Sequence, residues 1–170
     1  MISGPRIVII GNSGSGKSTL ARSLESRIGG QHIDLDLVHW LNKVGVKRDE
    51  AEAKAMVAAL AEKPRWIIEG VYGWLAEAAL PRATSLVWLD LPWSVCREGL
   101  ASRGPTTGAT AEEHSALLAW AEAYWQRRTP SSYEGHLALF DGFAAKKLRL
   151  LGRADVNSLL NAGRRDGGLR

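Results

Sequence analysis

A three-layer α/β fold, with a parallel sheet between two layers of helices, is predicted by three features of this sequence. Short β-branched apolar runs alternate with longer stretches of helical period along its 170 residues. The first run, Arg6-Ile7-Val8-Ile9-Ile10, leads directly into the glycine-rich Gly11-Asn12-Ser13-Gly14-Ser15-Gly16-Lys17-Ser18. Leu20, Leu24 and Ile28 then recur at helical spacing until Gly29-Gly30 ends the pattern. Strand, tight turn and helix in this order begin a βα unit, and such units build parallel sheets.

The first strand covers residues 5–10, and His32-Ile33-Asp34 is a short second one. Residues 48–62 place Ala53, Met56, Val57 and Leu60 on one helical face. Lys63-Pro64 stops that helix, because the residue before a proline is driven out of the helical region. Arg65-Trp66-Ile67-Ile68-Glu69 forms a third strand and Ser85-Leu86-Val87-Trp88-Leu89 a fourth. A helix near 94–102 stops at Arg103-Gly104-Pro105, and the breaker-rich stretch 104–110 leads into a helix over about 111–127. Leu117, Leu118, Ala121 and Trp125 make its apolar side, and Thr129-Pro130 ends it. A helix over 131–140, a fifth strand from Lys147 to Leu151 and a closing helix from Asp155 to Leu160 complete the pattern. Residues 1–163 form one domain, and 164–170 read as a disordered tail.

The formal net charge is only +4. Arg97, Arg103, Arg127, Arg128, Arg149 and Arg153 are dispersed over the second half. That suits a pocket for phosphate-rich small molecules; nucleic acid calls for basic runs on one face. The lone Cys96 leaves no disulfide framework and reads as a small buried hydrophobe in a reducing cytoplasm. Met1-Ile2-Ser3-Gly4-Pro5 leaves no room for a secretory leader, and no apolar stretch approaches membrane-spanning length. The expected partners are small molecules, with no membrane or nucleic-acid partner, for a monomer or homodimer.

The glycine-rich segment carries the chemistry. It fits G-x-x-x-x-G-K-[ST], the phosphate-binding P-loop or Walker A motif, in the strand–turn–helix setting the motif requires. Its glycines let successive backbone N–H groups turn inward on an anion, at the positive end of a helix dipole. Gly11, Asn12, Ser13, Gly14, Ser15, Gly16, Lys17, Ser18 and Thr19 are therefore the expected nucleotide cradle. Lys17 would reach the β- and γ-phosphates of ATP, and the Ser18 hydroxyl would ligate Mg2+. Ligands of a parallel sheet bind beyond the carboxyl ends of its strands, where the sequence puts Asp34, Asp36, Glu69 and Asp90. Acidic strand ends around a phosphate cradle suit Mg2+, usually held through water, and the orientation of an acceptor hydroxyl.

Taken together, GNSGSGKSTLAR at 11–22, HIDLDLVHW at 32–40, WIIEGVY at 66–72, SLVWLDLPWSVC at 85–96, the arginines at 103 and 127–128 and KKLRLLGRADVNSLL at 146–160 carry a family resemblance. They resemble the nucleoside-monophosphate-kinase branch of P-loop proteins, which includes adenylate kinases and shikimate kinase. Within it they look most like the small adenylate-kinase-like proteins labelled "DNA topology modulation protein". The resemblance implies a five-stranded parallel sheet in the order 2-3-1-4-5, a small acceptor-binding insert at about 37–63 and a lid at about 104–128. It also implies lid arginines that close over the transferring phosphoryl group, whose loose, highly charged transition state is stabilised by positioning and charge.

By this resemblance Arg103 and Arg127 or Arg128 match the catalytic lid arginines; the alternative for each is a solvated helix end. Asp34 matches the first acid of a D-x-D pair, which helps hold Mg2+, and Asp36 the second, which contacts the acceptor. The alternative for this pair is a strand-end turn with Asp36 capping the next segment. Trp40, Tyr72 and His39 would line the acceptor pocket, His39 without the role of a base, and Trp40 also reads as a packing residue. Glu69 and Asp90 both end apolar strands; the resemblance favours Glu69 as the acid that serves the metal. Two departures bear on the acceptor and on adenine. Glu69-Gly70-Val71-Tyr72-Gly73 stands where adenylate kinases carry G-F-P-R, so the acceptor-phosphate arginine is missing there, with Arg82 or Arg48 as substitutes. Gly99 aligns with an arginine that packs over adenine, and Arg97 lies two residues away.

The activity implied is transfer of the γ-phosphoryl group of ATP to a nucleotide, nucleoside or other small acceptor. Two alternatives stand beside it: a P-loop ATPase or GTPase, for which only Glu69 is placed to hold the attacking water, and a nucleotide-dependent, DNA-associated regulator.

Overall fold

The computed structural model describes residues 2, 4–41 and 45–165, residues 162–165 by backbone alone. The chain begins with β1 (Arg6–Gly11), α1 (Lys17–Ile28), β2 (Gln31–Asp34), α2 (Leu35–His39) and α3 (Glu50–Ala61). It continues through β3 (Trp66–Gly70), α4 (Gly73–Ala76), a 3-10 turn (Glu77–Arg82), β4 (Ser85–Leu89) and α5 (Trp93–Arg103). Then come α6 (Ala111–Glu122), a second 3-10 turn (Ala123–Trp125), α7 (Tyr133–Gly142), β5 (Lys146–Leu150) and α8 (Arg153–Arg165).

The five strands form one parallel sheet in the order β2-β3-β1-β4-β5, as expected. Strand composition explains the order. β3 and β4 are buried throughout and β1 nearly so, and these three occupy the centre, where both faces are covered. β2 and β5 carry exposed Gln31, Lys146 and Lys147 and take the edges. Side-chain alternation then splits the core in two. Val8, Ile10, Trp66, Ile68, Leu86 and Trp88 face the layer built by α2, α3, α4 and α7. Ile7, Ile9, Ile67, Val87 and Leu89 face α1, α5 and α8 through Leu20, Leu24, Cys96 and Val156. Among the described residues no helix is long and apolar enough to cross a membrane.

Several boundaries differ from expectation. α2 was not foreseen; the Asp34 side chain accepts from Asp36 N–H and starts it one residue after β2. So Asp34, rather than Asp36, is the cap. The helix expected over 111–127 ends at Glu122 and tightens into a 3-10 turn, which buries Tyr124 completely while Leu117, Leu118 and Trp125 stay half-buried. Thr110 starts α6 with a capping box to Glu113, which no apolar periodicity reveals. α8 includes Arg164 and Arg165, which the sequence reading put in a disordered tail; 166–170 lie outside the described residues.

Candidate functional site

The parallel sheet delivers the P-loop and the acids to one end of the molecule. β1 hands the chain to residues 11–18, and α1 starts at Lys17 behind Gly16, whose φ of 92° only glycine adopts easily. No side chain caps α1. Its first N–H groups therefore lack intrahelical and capping partners, the arrangement that receives an anion. The Ser15 hydroxyl is buried without a hydrogen bond, a second polar group awaiting a partner. Ser18 is half-buried at the head of α1 and Thr19 is exposed. Lys17 is 9% exposed, and its Nζ donates to the Asn12 carbonyl at 2.9 Å.

Glycine also sets how α5 meets the loop. A Cβ on Gly14 would overlap the Cys96 carbonyl, and one on Gly99 would overlap the Gly14 carbonyl. Backbone lies on backbone, which explains why position 99 carries no arginine over adenine; Arg97 is exposed on the same helix. Gly99→Ala is expected to destabilise the domain by about 2 kcal/mol, overpacking outweighing the roughly 1 kcal/mol that alanine gains in a helix. Urea unfolding measures it, and an unchanged or higher midpoint would refute the close contact.

Asp34 and Glu69 are register partners on adjacent strands. Asp34 Oδ1 accepts from Asp36 N–H at 2.8 Å. Burial, and then the charge of Glu69, raise its carboxyl above the ordinary value, with the Asp36 N–H and Lys17 pulling the other way. Asp36 is pushed up to about 6, first by desolvation and then by Asp34, while Lys17 and Arg103 favour its charged form. The residue as a whole is open to solvent. Glu69 is only 2% exposed, and its Oε1 meets His32 Nε2 at 3.2 Å. Among the described residues no three His, Cys, Asp or Glu side chains are grouped to hold a metal by themselves. Asp90 is occupied: Arg149 donates Nε and an Nη to its Oδ2 at 3.0 and 2.7 Å and covers Trp88.

The arginines expected in a lid are unequal. The Arg127 guanidinium lies 3.9 Å from the Trp120 ring centroid, and its Nε and Nη2 are buried with no hydrogen bond. Burial pulls its pKa below the usual arginine value. Arg128 is exposed and pairs loosely with Glu134 at 3.5 Å. Arg103 ends α5 in the open, within electrostatic reach of Asp36.

Among the residues expected to line an acceptor pocket, Tyr72 stacks on the buried His39 ring at 4.1 Å, Trp40 meets that ring edge-on, and the Trp40 indole donates to the Tyr72 hydroxyl. His39 Nδ1 has no hydrogen-bond partner, and burial lowers its pKa, as does the nearby Lys47. Neither substitute arginine joins this group. Arg48 is held by the Val38 carbonyl and Glu52. Arg82 forks onto Glu62 at 2.9 and 2.7 Å, and its carbonyl accepts from Arg6 at the amino end of the sheet. That removes Arg82 from the acceptor set, because the P-loop occupies the opposite end.

Two features escaped the sequence reading. The Asn12 side chain reaches Ala121 in α6. The Arg153 guanidinium comes within 3.4 Å of where a Gly16 Cβ would stand, and the only sequence signal was its place just after the fifth strand.

No family model matches the chain. The structure resembles a gluconokinase from Sinorhizobium meliloti 1021 with a TM-score of 0.57 at 19% identity, over 96% of this chain and 93% of that one. It resembles a shikimate kinase from Bacteroides thetaiotaomicron with a TM-score of 0.58 at 17% identity, over 98% and 100%. A shikimate kinase from Acinetobacter baumannii in complex with shikimate gives 0.55 at 15% identity, over 99% and 97%. At these identities the likeness establishes the fold, that of P-loop kinases. In sequence the chain is 30% identical over 128 residues to the uncharacterized protein YqaC of Bacillus subtilis (strain 168), covering 69% of this chain and 71% of that protein. The chain thus belongs to the family of Bacillus subtilis YqaC and carries the P-loop kinase fold.

Proposed function

We propose that the chain is a Mg-ATP-dependent phosphotransferase of adenylate-kinase-like type. It passes the γ-phosphoryl group of ATP to a nucleotide, nucleoside or other small hydroxyl-bearing acceptor. Three observations support this reading: an uncapped P-loop with Lys17, the acids Asp34 and Asp36 after the second strand, and an Arg127 guanidinium that bonds Thr129 through one nitrogen and leaves two unbonded. A buried guanidinium with two nitrogens unbonded is unfavourable unless an acceptor arrives, and phosphoryl oxygens are such acceptors.

In this reading the backbone of residues 11–19 and Lys17 hold the β- and γ-phosphates. The buried, unbonded Ser15 hydroxyl fits a ligand rich in acceptors. Ser18 and Asp34 would hold Mg2+, which supplies charge neutralisation on the phosphates and keeps several waters of its own. Glu69, bonded to His32, backs Asp34. Asp36 orients the acceptor hydroxyl and takes its proton as the oxygen attacks, between Trp40 and Tyr72. Arg127 receives the growing charge, with Arg103 and Arg128 carried on either side of the same lid. The gluconokinase and shikimate kinase folds support a small acceptor. Water as the acceptor is disfavoured because Glu69, the carboxylate that would hold it, is buried against His32. The cytoplasm is the compartment assigned.

The test is a panel of nucleosides, nucleotides and small hydroxy compounds with Mg-ATP, scored for ADP formation. At least one acceptor is expected to raise the rate roughly tenfold or more over ATP alone, since a positioned acceptor gains from proximity. ADP formation at the same rate with and without every acceptor would make the chain a hydrolase.

A further inference from the structure

The Asn12 side chain joins two parts of the molecule that the proposed reaction must coordinate. It is 1% exposed, and both ends of its carboxamide are bonded. Its Nδ2 donates to the Ala121 carbonyl at 2.8 Å, and its Oδ1 accepts from Ser13 N–H at 2.8 Å. Its own carbonyl accepts from Lys17 Nζ at 2.9 Å and from Ser15 N–H at 3.3 Å. One residue therefore ties loop backbone, catalytic lysine and α6 together.

The place it grips on α6 matters. Ala121 lies in the last turn of the helix, and its carbonyl accepts from the Ala123 N–H of the cap as well as from Asn12. The preceding residue, Trp120, is the ring on which the Arg127 guanidinium rests. Between them Tyr124 is buried under Trp88 and His136, and Arg127 N–H bonds to the Ala123 carbonyl at 2.9 Å. So the arginine-bearing end of this segment is tied to the P-loop through Asn12. At the other end of this segment Gly104 and Gly108 take positive φ with open space around both.

We propose that Asn12 is a positioning residue that couples the P-loop to Arg127, so that phosphates bound in the loop meet a guanidinium already set at the right distance. This rests on the kinase reading above. A hydroxyl or an apolar side chain at position 12 would fill the loop equally well but reach no carbonyl in α6. Asparagine presents an acceptor to the loop and a donor to the helix at once.

The experiment compares wild type, Asn12→Asp, Arg127→Ala and the double variant, titrated with Mg-ADP and with Mg-AMP-PNP. Asn12→Asp keeps the acceptor for Ser13 and replaces the donor facing Ala121. Wild type is expected to prefer AMP-PNP over ADP through Arg127. Asn12→Asp should lose about tenfold more affinity for AMP-PNP than for ADP, because the added charge faces the phosphates of both while only AMP-PNP draws on Arg127; that difference is the size of one buried hydrogen bond to a charged group. The double variant should be no weaker than Arg127→Ala alone, because the two act through one contact. Hydrogen exchange of amides 115–123 without nucleotide should be faster in Asn12→Asp than in wild type. Multiplying losses in the double variant, or unchanged exchange, would overturn the coupling. Failure of wild type to bind either nucleotide would instead overturn the kinase reading, and the proposal with it. Asn12→Ser serves as a second variant; if circular dichroism shows both unfolded, Asn12 is a folding residue and the positioning role is wrong.

Discussion

Lys17→Ala is expected to lower kcat by about a thousandfold and leave the fold in place, because a cation aimed at developing phosphoryl charge acts mainly in the transition state. The stability side follows from its single hydrogen bond in the protein. Lys17 Nζ donates to the Asn12 carbonyl, and that carbonyl keeps its bond from Ser15 N–H when the lysine is gone. Its electrostatic neighbours are Asp34 and Asp36, whose charged forms it favours. Removing it therefore raises both carboxyl pKa values further. The residual activity should show its acidic limb displaced to higher pH, toward the side where Asp36 is again ionised. Single-turnover kinetics across pH 5–8, with circular dichroism as the control for folding, measures both effects. Turnover within about threefold of wild type would remove the P-loop lysine from the mechanism.

Acid is expected to weaken the fold through His136, the second large effect. This imidazole is fully buried between Tyr124 and Val71. Its Nε2–H donates to the Val71 carbonyl at 2.9 Å, so Nδ1 accepts from the Tyr124 hydroxyl at 2.7 Å, which in turn accepts from Trp88 Nε1 at 3.2 Å. Every polar atom in the chain is satisfied by the neutral ring, and burial pushes its pKa down to about 3. The unfolded chain takes up this proton below about 6.5, while the folded one resists until about 3. The stability that His136 contributes is thus complete above 6.5 and lost as pH falls from 6.5 toward 3, by up to about 1.4 kcal/mol per pH unit. Asp36 acts oppositely, since a raised carboxyl binds its proton more readily in the folded state as pH falls.

Comparison with His136→Asn cancels the Asp36 contribution, because both proteins contain it. The variant should lose about 3 kcal/mol at pH 7, as Tyr124 and Val71 each lose a buried partner. Its urea midpoint should then fall less steeply than that of wild type between pH 6.5 and 4. Parallel slopes for the two proteins would show that His136 does not titrate in unfolding.

The fold was legible in the sequence because its signals are local. Residues 6–10 are a β-branched run, Gly29 caps α1 at φ 64°, and Pro64 ends α3; each element carries its own evidence within a few residues. The short α2 was missed because its signal is one side chain, the Asp34 carboxylate turning onto Asp36 N–H. Tyr124 was missed as a core residue because the change from α-helix to 3-10 turn at Ala123 moves it to a different face.

The P-loop, too, was decided by the sequence, since a phosphate cradle is made of consecutive backbone amides and needs no distant partner. The fate of the acids and arginines was not. Asp90 and Arg82 looked as available as Asp34 and Arg127, yet the first pair is spent on Arg149 and Glu62. Arg127 is left with open nitrogens over Trp120. Asn12, an unremarkable member of the loop by sequence, holds a carbonyl 109 residues away. Whether a charged or polar side chain is free or occupied depends on which groups the folded sheet and helices bring within about 3 Å of it, and that distance is not encoded in local pattern. The sequence alone determined the sheet and the glycine-rich loop; the tertiary structure decided which of the charged side chains are held by partners and which keep unbonded nitrogens.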